Sequence, residues 1–172
     1  MNSQDIVVTV LSLNDGEIVG RTRLQKVVYL LDCCGADLGL FFTYHHYGPY
    51  SFDLTDGWVD AEANGLITVE ERLGRHAVAY SVFRTAVPKG EAAGSLGELQ
   101  PDRCTELLKK MGDVSDITLE LAATMVYLRR AAREADVIGE LKARKPLKAT
   151  DRRIGEAEEL LGQLGLEANL AV

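Results

Sequence analysis

The stretch LITVEERLGRHAVAYSVFRT, residues 66–85, decides how this chain is read. On either side of Leu73-Gly74-Arg75-His76 apolar and polar residues alternate with period two, which predicts an antiparallel hairpin. Three helical segments precede it. Residues 3–13 set Ile6, Val7, Val10 and Leu11 on one face and end at Asn14-Asp15-Gly16. A second helix opens around Gly20 to Thr22, where Thr22-Arg23-Leu24-Gln25 has the pattern of a capping box, and runs through LQKVVYLLDCC to Gly35. Its apolar stripe (Leu24, Val27, Val28, Leu31, Cys34) is widened by Tyr29 and Leu30, so this helix is expected at the centre of the fold. LFFTYHHY then reads as a strand stopped by Gly48-Pro49. Ser51 caps a third helix, SFDLTDGWVDAEANG, and Asn64-Gly65 ends it.

Helix, helix, helix, hairpin is the order of a winged helix. Beyond it, KGEAAGSLGEL (residues 89–99) is rich in Gly, Ala and Glu and reads as a linker. Four further helical patterns follow: Pro101 to Met111, Ser115 to about Ala132, Glu134 to Lys145, and Thr150 to Leu164, with Gly112, Pro146 and Gly165 as stops. The expected class is therefore α+β and mostly helical. A winged-helix-like unit of three helices plus a hairpin wing occupies residues 1–87, a linker 88–100, and a helical region packing on the first part 101–172.

With 47% hydrophobic and 26% charged residues, the composition is that of a soluble globular protein. No apolar run reaches membrane-spanning length and the start lacks a basic, cleavable leader, so a cytoplasmic location with no membrane partner is expected. Cys33, Cys34 and Cys104 are odd in number, and neighbours do not close a low-strain disulfide, which favours reduced thiols. The net charge of -7 opposes non-specific attraction to nucleic acid. Residues 1–86 hold six basic residues against eleven acids, and residues 87–172 thirteen against fifteen, so the N-terminal half is the acidic one.

The densest ring chemistry is YHHYGPYS, residues 44–51. Neighbours on a strand face opposite ways, so His45 and His46 are expected to be a poor chelating pair. Tyr44, Tyr47 and Tyr50 read first as packing rings, with Gly48 allowing a close turn, Pro49 fixing φ and Ser51 capping; a pocket beside them is the alternative. No metalloprotease, phosphate-loop, serine-hydrolase or dinucleotide fingerprint occurs, and Cys33 and Cys34 lack a histidine partner nearby in sequence. No catalytic residue, metal or cofactor is expected. A DNA-reading third helix needs basic or amide side chains, yet residues 51–63 carry four acids and no base. Cations for a nucleic-acid interface would have to come from Arg21 and Arg23 on helix two, Arg72 and Arg75 near the wing, and Lys142, Arg144, Lys145 and Lys148 near Pro146. That last cluster reads either as a solvated face or as a phosphate contact.

Gly20-Arg21-Thr22-Arg23-Leu24-Gln25-Lys26-Val27-Val28-Tyr29-Leu30, followed by YHHYGPYS and then Gly65-Leu66-Ile67, resembles the YwgA-type family of prokaryotic proteins. More distantly it resembles the Panacea (SocA-like) antitoxin domain, whose members share a Leu-Gln-Lys helix and a Tyr-Gly-Pro turn. The resemblance covers residues 20–67. It implies a small protein that works by binding another protein, such as a toxin or a protease-system component, rather than by catalysis. Leu24, Gln25, Lys26, Tyr47, Gly48 and Pro49 carry over as fold-defining positions; Tyr50 departs from the aliphatic residue more usual in the Panacea pattern. The expected partner surface is Gln25, Lys26, Tyr44, His46, Tyr47, Tyr50, Asp53 and Asp56, with polar groups of Gln25 and Lys26 exposed beside the turn. Nucleic-acid binding is the second reading, and a homodimer is compatible with either.

Overall fold

Asn2 begins the first helix, α1 (Ser3–Leu13), by accepting a hydrogen bond from the Asp5 N–H at 2.7 Å. This is one turn of a computed structural model that describes residues 1–87 and 94–166. Ile6, Val7, Val10 and Leu11 are all fully buried, as the spacing predicts. The chain then makes β1 (Glu17–Val19), a strand too short for alternation to reveal, before entering α2 (Arg21–Leu31). The capping box does not form: α2 starts one residue after Gly20, with no side-chain cap, and the Gln25 side chain points into the protein instead. A wider helical turn, Asp32–Ala36, closes α2 and breaks at Gly35.

The single strand expected at residues 40–47 is a small hairpin of two strands. β2 (Thr43–His45) and β3 (Gly48–Tyr50) pair antiparallel, with Tyr44 opposite Pro49 and His45 opposite Gly48. Gly48-Pro49 therefore continues the chain as a strand rather than stopping it. Proline is tolerated here because the sheet has only two strands, and a strand edge needs no donor from it. Ser51 then caps α3 (Phe52–Ala63), accepting from the Leu54 N–H at 3.3 Å. Where α3 crosses α1, a Cβ on Gly57 would lie 2.6 Å from the backbone of Ser3, so only glycine permits this approach.

The decisive hairpin forms as β4 (Ile67–Leu73) and β5 (Ala79–Thr85), joined through a short helical turn at Arg75–Ala77. β5 is central, flanked by β4 and by β1, with Ile18 and Val69 both facing Phe83 across the pairing. The single tryptophan, Trp58 on α3, packs its ring 5.4 Å from that of Phe83 and so joins helix to sheet.

Of the expected linker, residues 88–93 lie outside the described residues. The remainder is packed: Leu96 is fully buried, its backbone bridges to Leu99, and the Glu98 N–H donates to Ala36 O at 2.8 Å. Four helices follow, α4 (Pro101–Gly112), α5 (Asp116–Arg130), α6 (Val137–Arg144) and α7 (Asp151–Leu164). α6 begins later than Glu134 because Asp136 caps it through the Gly139 N–H. One hydrophobic cluster runs from Ile6 through α2 and Leu96 to Leu166, with α5 wholly inside it from Leu119 to Met125 apart from one threonine and one acid. The described chain is thus α+β, with seven α-helices and small antiparallel sheets. No described helix is long and apolar enough to cross a membrane.

Candidate functional site

Helix α2 holds the hairpin through two consecutive polar side chains. Gln25 and Ser51 exchange a pair of hydrogen bonds, the Gln25 amide donating to Ser51 O and the Ser51 N–H donating to Gln25 Oε1, each at 2.8 Å. Both residues are buried, so the glutamine serves as a one-residue strand for a backbone that has no sheet neighbour. Gln25 is therefore not on the surface, contrary to expectation.

Lys26 is buried as well and donates to Pro49 O at 2.7 Å. Its stem passes beneath Gly48, whose φ of 87° no branched residue would adopt without strain. A Cβ there would also strike Thr124 Oγ1 of α5. Next to Thr124, Glu120 sits almost wholly buried in α5 and accepts from Lys145 Nζ at 2.7 Å and from Lys148 Nζ at 2.7 Å. Lys145 also donates to His46 O at 3.3 Å, so the loop after α6 grips the tip of the hairpin. Burial lowers the Lys26 ammonium to about 7; Glu120 opposes this, while Lys145 and Lys148 push the same way as burial. Three lysine side chains thus feel a single carboxylate, two of them by direct contact.

The outer face of the hairpin is aromatic. His45, Tyr50 and, at the start of α3, Phe52 meet ring to ring in sequence, the first pair tilted and the second edge-on, with centroid distances of 5.3 and 5.1 Å. Together with Arg21, Thr22, Lys26, Tyr47 and Gly48 they enclose a half-open pocket of about 330 Å³. Lys148 Nζ lies 4.8 Å over the Tyr47 ring, and Phe52 and Tyr47 remain 62% and 53% exposed. The hairpin is consequently braced from behind and open in front. The opposite-face expectation for the histidines does not hold: His46 lies in the turn rather than on the strand, and its ring meets that of His45 edge-on at 4.8 Å. No group of three or more His, Cys, Asp or Glu side chains that could hold a metal occurs among the described residues.

Tyr44 stands apart from the pocket, on the other side of the hairpin. It packs against Tyr127, and the Arg144 guanidinium lies 4.6 Å over its ring. Burial raises its hydroxyl above the ordinary range, an effect that Arg144 opposes. Asp53 and Asp56 are exposed on α3 beside Phe52.

Most of the cations expected for nucleic acid are committed within the molecule. Arg21 pairs with Glu71, Arg23 with Asp116, Arg72 with Glu70, Lys142 with Asp151, Arg144 with Glu140, and Lys145 and Lys148 with Glu120. Arg75 is exposed in the turn between β4 and β5. The thiols are inward-facing: burial pushes Cys34 and Cys104 up to about 11, and Cys33 above its usual value, which keeps them protonated near neutrality.

Sequence reasoning missed Glu120, Thr124, His45 and Phe52 as parts of this site. A signal for Glu120 was present, because it is the one acid in the apolar run between Asp116 and Arg129 and a carboxylate there must find cations. No protein-family model and no curated protein sequence matches the chain.

Proposed function

We propose that this chain is a non-catalytic protein-recognition module, antitoxin-like or adaptor-like, acting in the cytoplasm through the open face of its aromatic hairpin and the adjoining acidic helix α3. One observation carries the reading: Tyr47 in the hairpin turn and Phe52 at the start of α3 stand more than half exposed, beside a backbone pinned from behind by Gln25, Lys26 and Lys145. Exposed aromatic residues on a rigid mount lose little entropy on binding, which is why tyrosine and other large rings dominate interface hot spots. Asp53, Asp56 and Asp60 on the same helix favour a partner carrying basic residues around its apolar anchor.

The N-terminal unit is winged-helix-like in this reading. The order α1, β1, α2, α3, β4, β5, with β1 beside β5, supports it, the β2–β3 hairpin being an insertion between the second and third helices. Nucleic-acid binding is disfavoured because α3 is acidic and seven of the eight candidate cations already hold carboxylates.

Affinity capture of the tagged protein from its native cell tests the proposal. A stoichiometric protein partner is expected, and the Phe52→Ala and Tyr47→Ala variants should each weaken its capture by about tenfold or more, as truncation of a hot-spot ring does. Recovery of no stoichiometric partner, or capture unchanged in both variants, overturns it.

A further inference from the structure

We propose that the pocket between α2 and the β2–β3 hairpin binds a small carboxylic acid with an apolar body, a ligand of roughly the size of an aromatic ring with a short acid-bearing chain. The site goes beyond the partner-recognition reading and does not depend on it.

Size and lining come first. At about 330 Å³ the pocket lies at the small end of cavities that enclose ligands, and its walls are mainly the rings of His45, Tyr47, Tyr50 and Phe52. Such walls take up a flat or compact apolar group. Its polar members are Arg21, Thr22, Lys26 and His45, so every formally charged group among them is a cation.

Charge then selects the sign of the ligand. This is an acidic protein, and four other clefts on it are each lined by at least two carboxylates: Asp113, Glu156 and Glu159 in one, Asp53, Asp56 and Asp60 in the second, Glu71 and Asp116 in the third, Asp15 and Asp113 in the fourth. The hairpin pocket has none. Behind it, Lys26, Lys145 and Lys148 share the single counter-charge of Glu120. Arg21 is partly neutralised by Glu71, and its bonds to Ser81 and Glu71 engage Nε and Nη2. The bond of Lys26 to Pro49 O uses one of the three donors of an ammonium group. A bound carboxylate relieves the excess of positive charge beside the buried Lys26, where such an interaction is stronger than on the open surface. An amine in the same place would add a further like charge to it.

Titration of the purified, isotopically labelled full chain with 3-phenylpropanoate, followed by NMR, tests the site. Shifts are expected at His45, Tyr47, Gly48 and Phe52, with a Kd of about 0.1–1 mM, as suits a ligand of this size. The uncharged amide of the same acid should bind at least about tenfold more weakly, and Lys26→Met should weaken the acid by a similar factor. Phe52→Ala, a substitution at an exposed ring, should weaken both compounds. Equal binding of acid and amide overturns the recognition of charge. Absence of shifts at the hairpin, or shifts confined elsewhere, overturns the site. Should Lys26→Met fail to fold, the comparison of acid with amide on the unaltered protein still decides. Because no partner protein is present, a negative result here leaves the capture experiment standing.

Discussion

Glu120 and Glu70 are each held between two cations, and the water around them is what separates them. Glu120 accepts from Lys145 and from the partly exposed Lys148, with its own side chain and that of Lys145 each 4% exposed. Glu70 accepts from Arg72 at 2.8 Å and Arg84 at 2.9 Å on the β4–β5 hairpin, where all three side chains are between a third and a half exposed. The bonds are nearly equally short. In the interior, however, Glu120 and Lys145 have given up their hydration and depend on their partners, whereas on the hairpin water stands ready to replace a lost partner. Short distances alone therefore say little about which cluster holds the molecule together.

Glu120→Gln should have the largest effect. It leaves Lys145 buried without a counter-ion, at a cost of about 3–5 kcal/mol, measurable as a fall in the denaturant midpoint. A smaller loss would mean that water enters the cluster and that the two carboxylates are less different than their burial implies.

The next test uses pH. Lys26 titrates near 7 in the folded chain and near 10.5 when unfolded, so above pH 7 the unfolded chain binds more protons and stability rises with pH. The slope is at most about 1.4 kcal/mol per pH unit. Below pH 7 the lysine is protonated in both states and the penalty for burying it is present in full. The rise should be clearest between pH 7 and 9. Beyond that Cys34 and Cys104, held near 11 against 9 for an ordinary thiol, keep protons that the unfolded chain releases and pull stability down again. Denaturant unfolding of the parent chain and of Lys26→Met across this range is the measurement, and the variant should lose the rise. A flat profile in the parent would place water at the Lys26 ammonium.

Glu70→Gln should matter least. Its carboxyl is held down to about 2 by hydrogen bonds from Arg72 and Arg84, but about half of the side chain meets solvent, and no resolvable change in thermal midpoint is expected. A clear drop would show that the network on the β4–β5 hairpin behaves as the buried one does.

The same contrast explains what could be foreseen from the sequence. Elements with a sustained period were legible: α1 from Ile6, Val7, Val10 and Leu11, the β4–β5 hairpin from its alternation, α3 from the Ser51 cap and the Asn64-Gly65 stop, and α4, α5 and α7 from their apolar stripes. β1 was not, because three residues are too few to display a period and its pairing with β5 lies more than sixty residues away in the chain. The tyrosines of the turn read first as packing rings, which describes Tyr44 against Tyr127 but not Tyr47, more than half exposed, and the depth of the polar contacts beneath the turn was hidden. Gln25 and Lys26 look like surface residues on any local scale, and their burial follows only from bonds to Ser51 and Pro49, in a segment whose place against α2 a sequence pattern cannot give. The open aromatic pocket stood only as the alternative reading of the tyrosines, and its walls were not legible, since it is made by folding the strand at residues 46–47 back on itself.

The junction of Trp58 with Phe83 has a practical consequence. With one indole in the whole chain, emission excited selectively at long wavelength reports on the contact of α3 with the sheet and on nothing in α4 to α7. Far-ultraviolet dichroism, by contrast, is weighted toward the helices of both halves. Coincident melting curves from the two signals would identify one cooperative unit running through the shared core, and an earlier optical transition at the indole would reveal that the N-terminal half opens while the helices behind it persist.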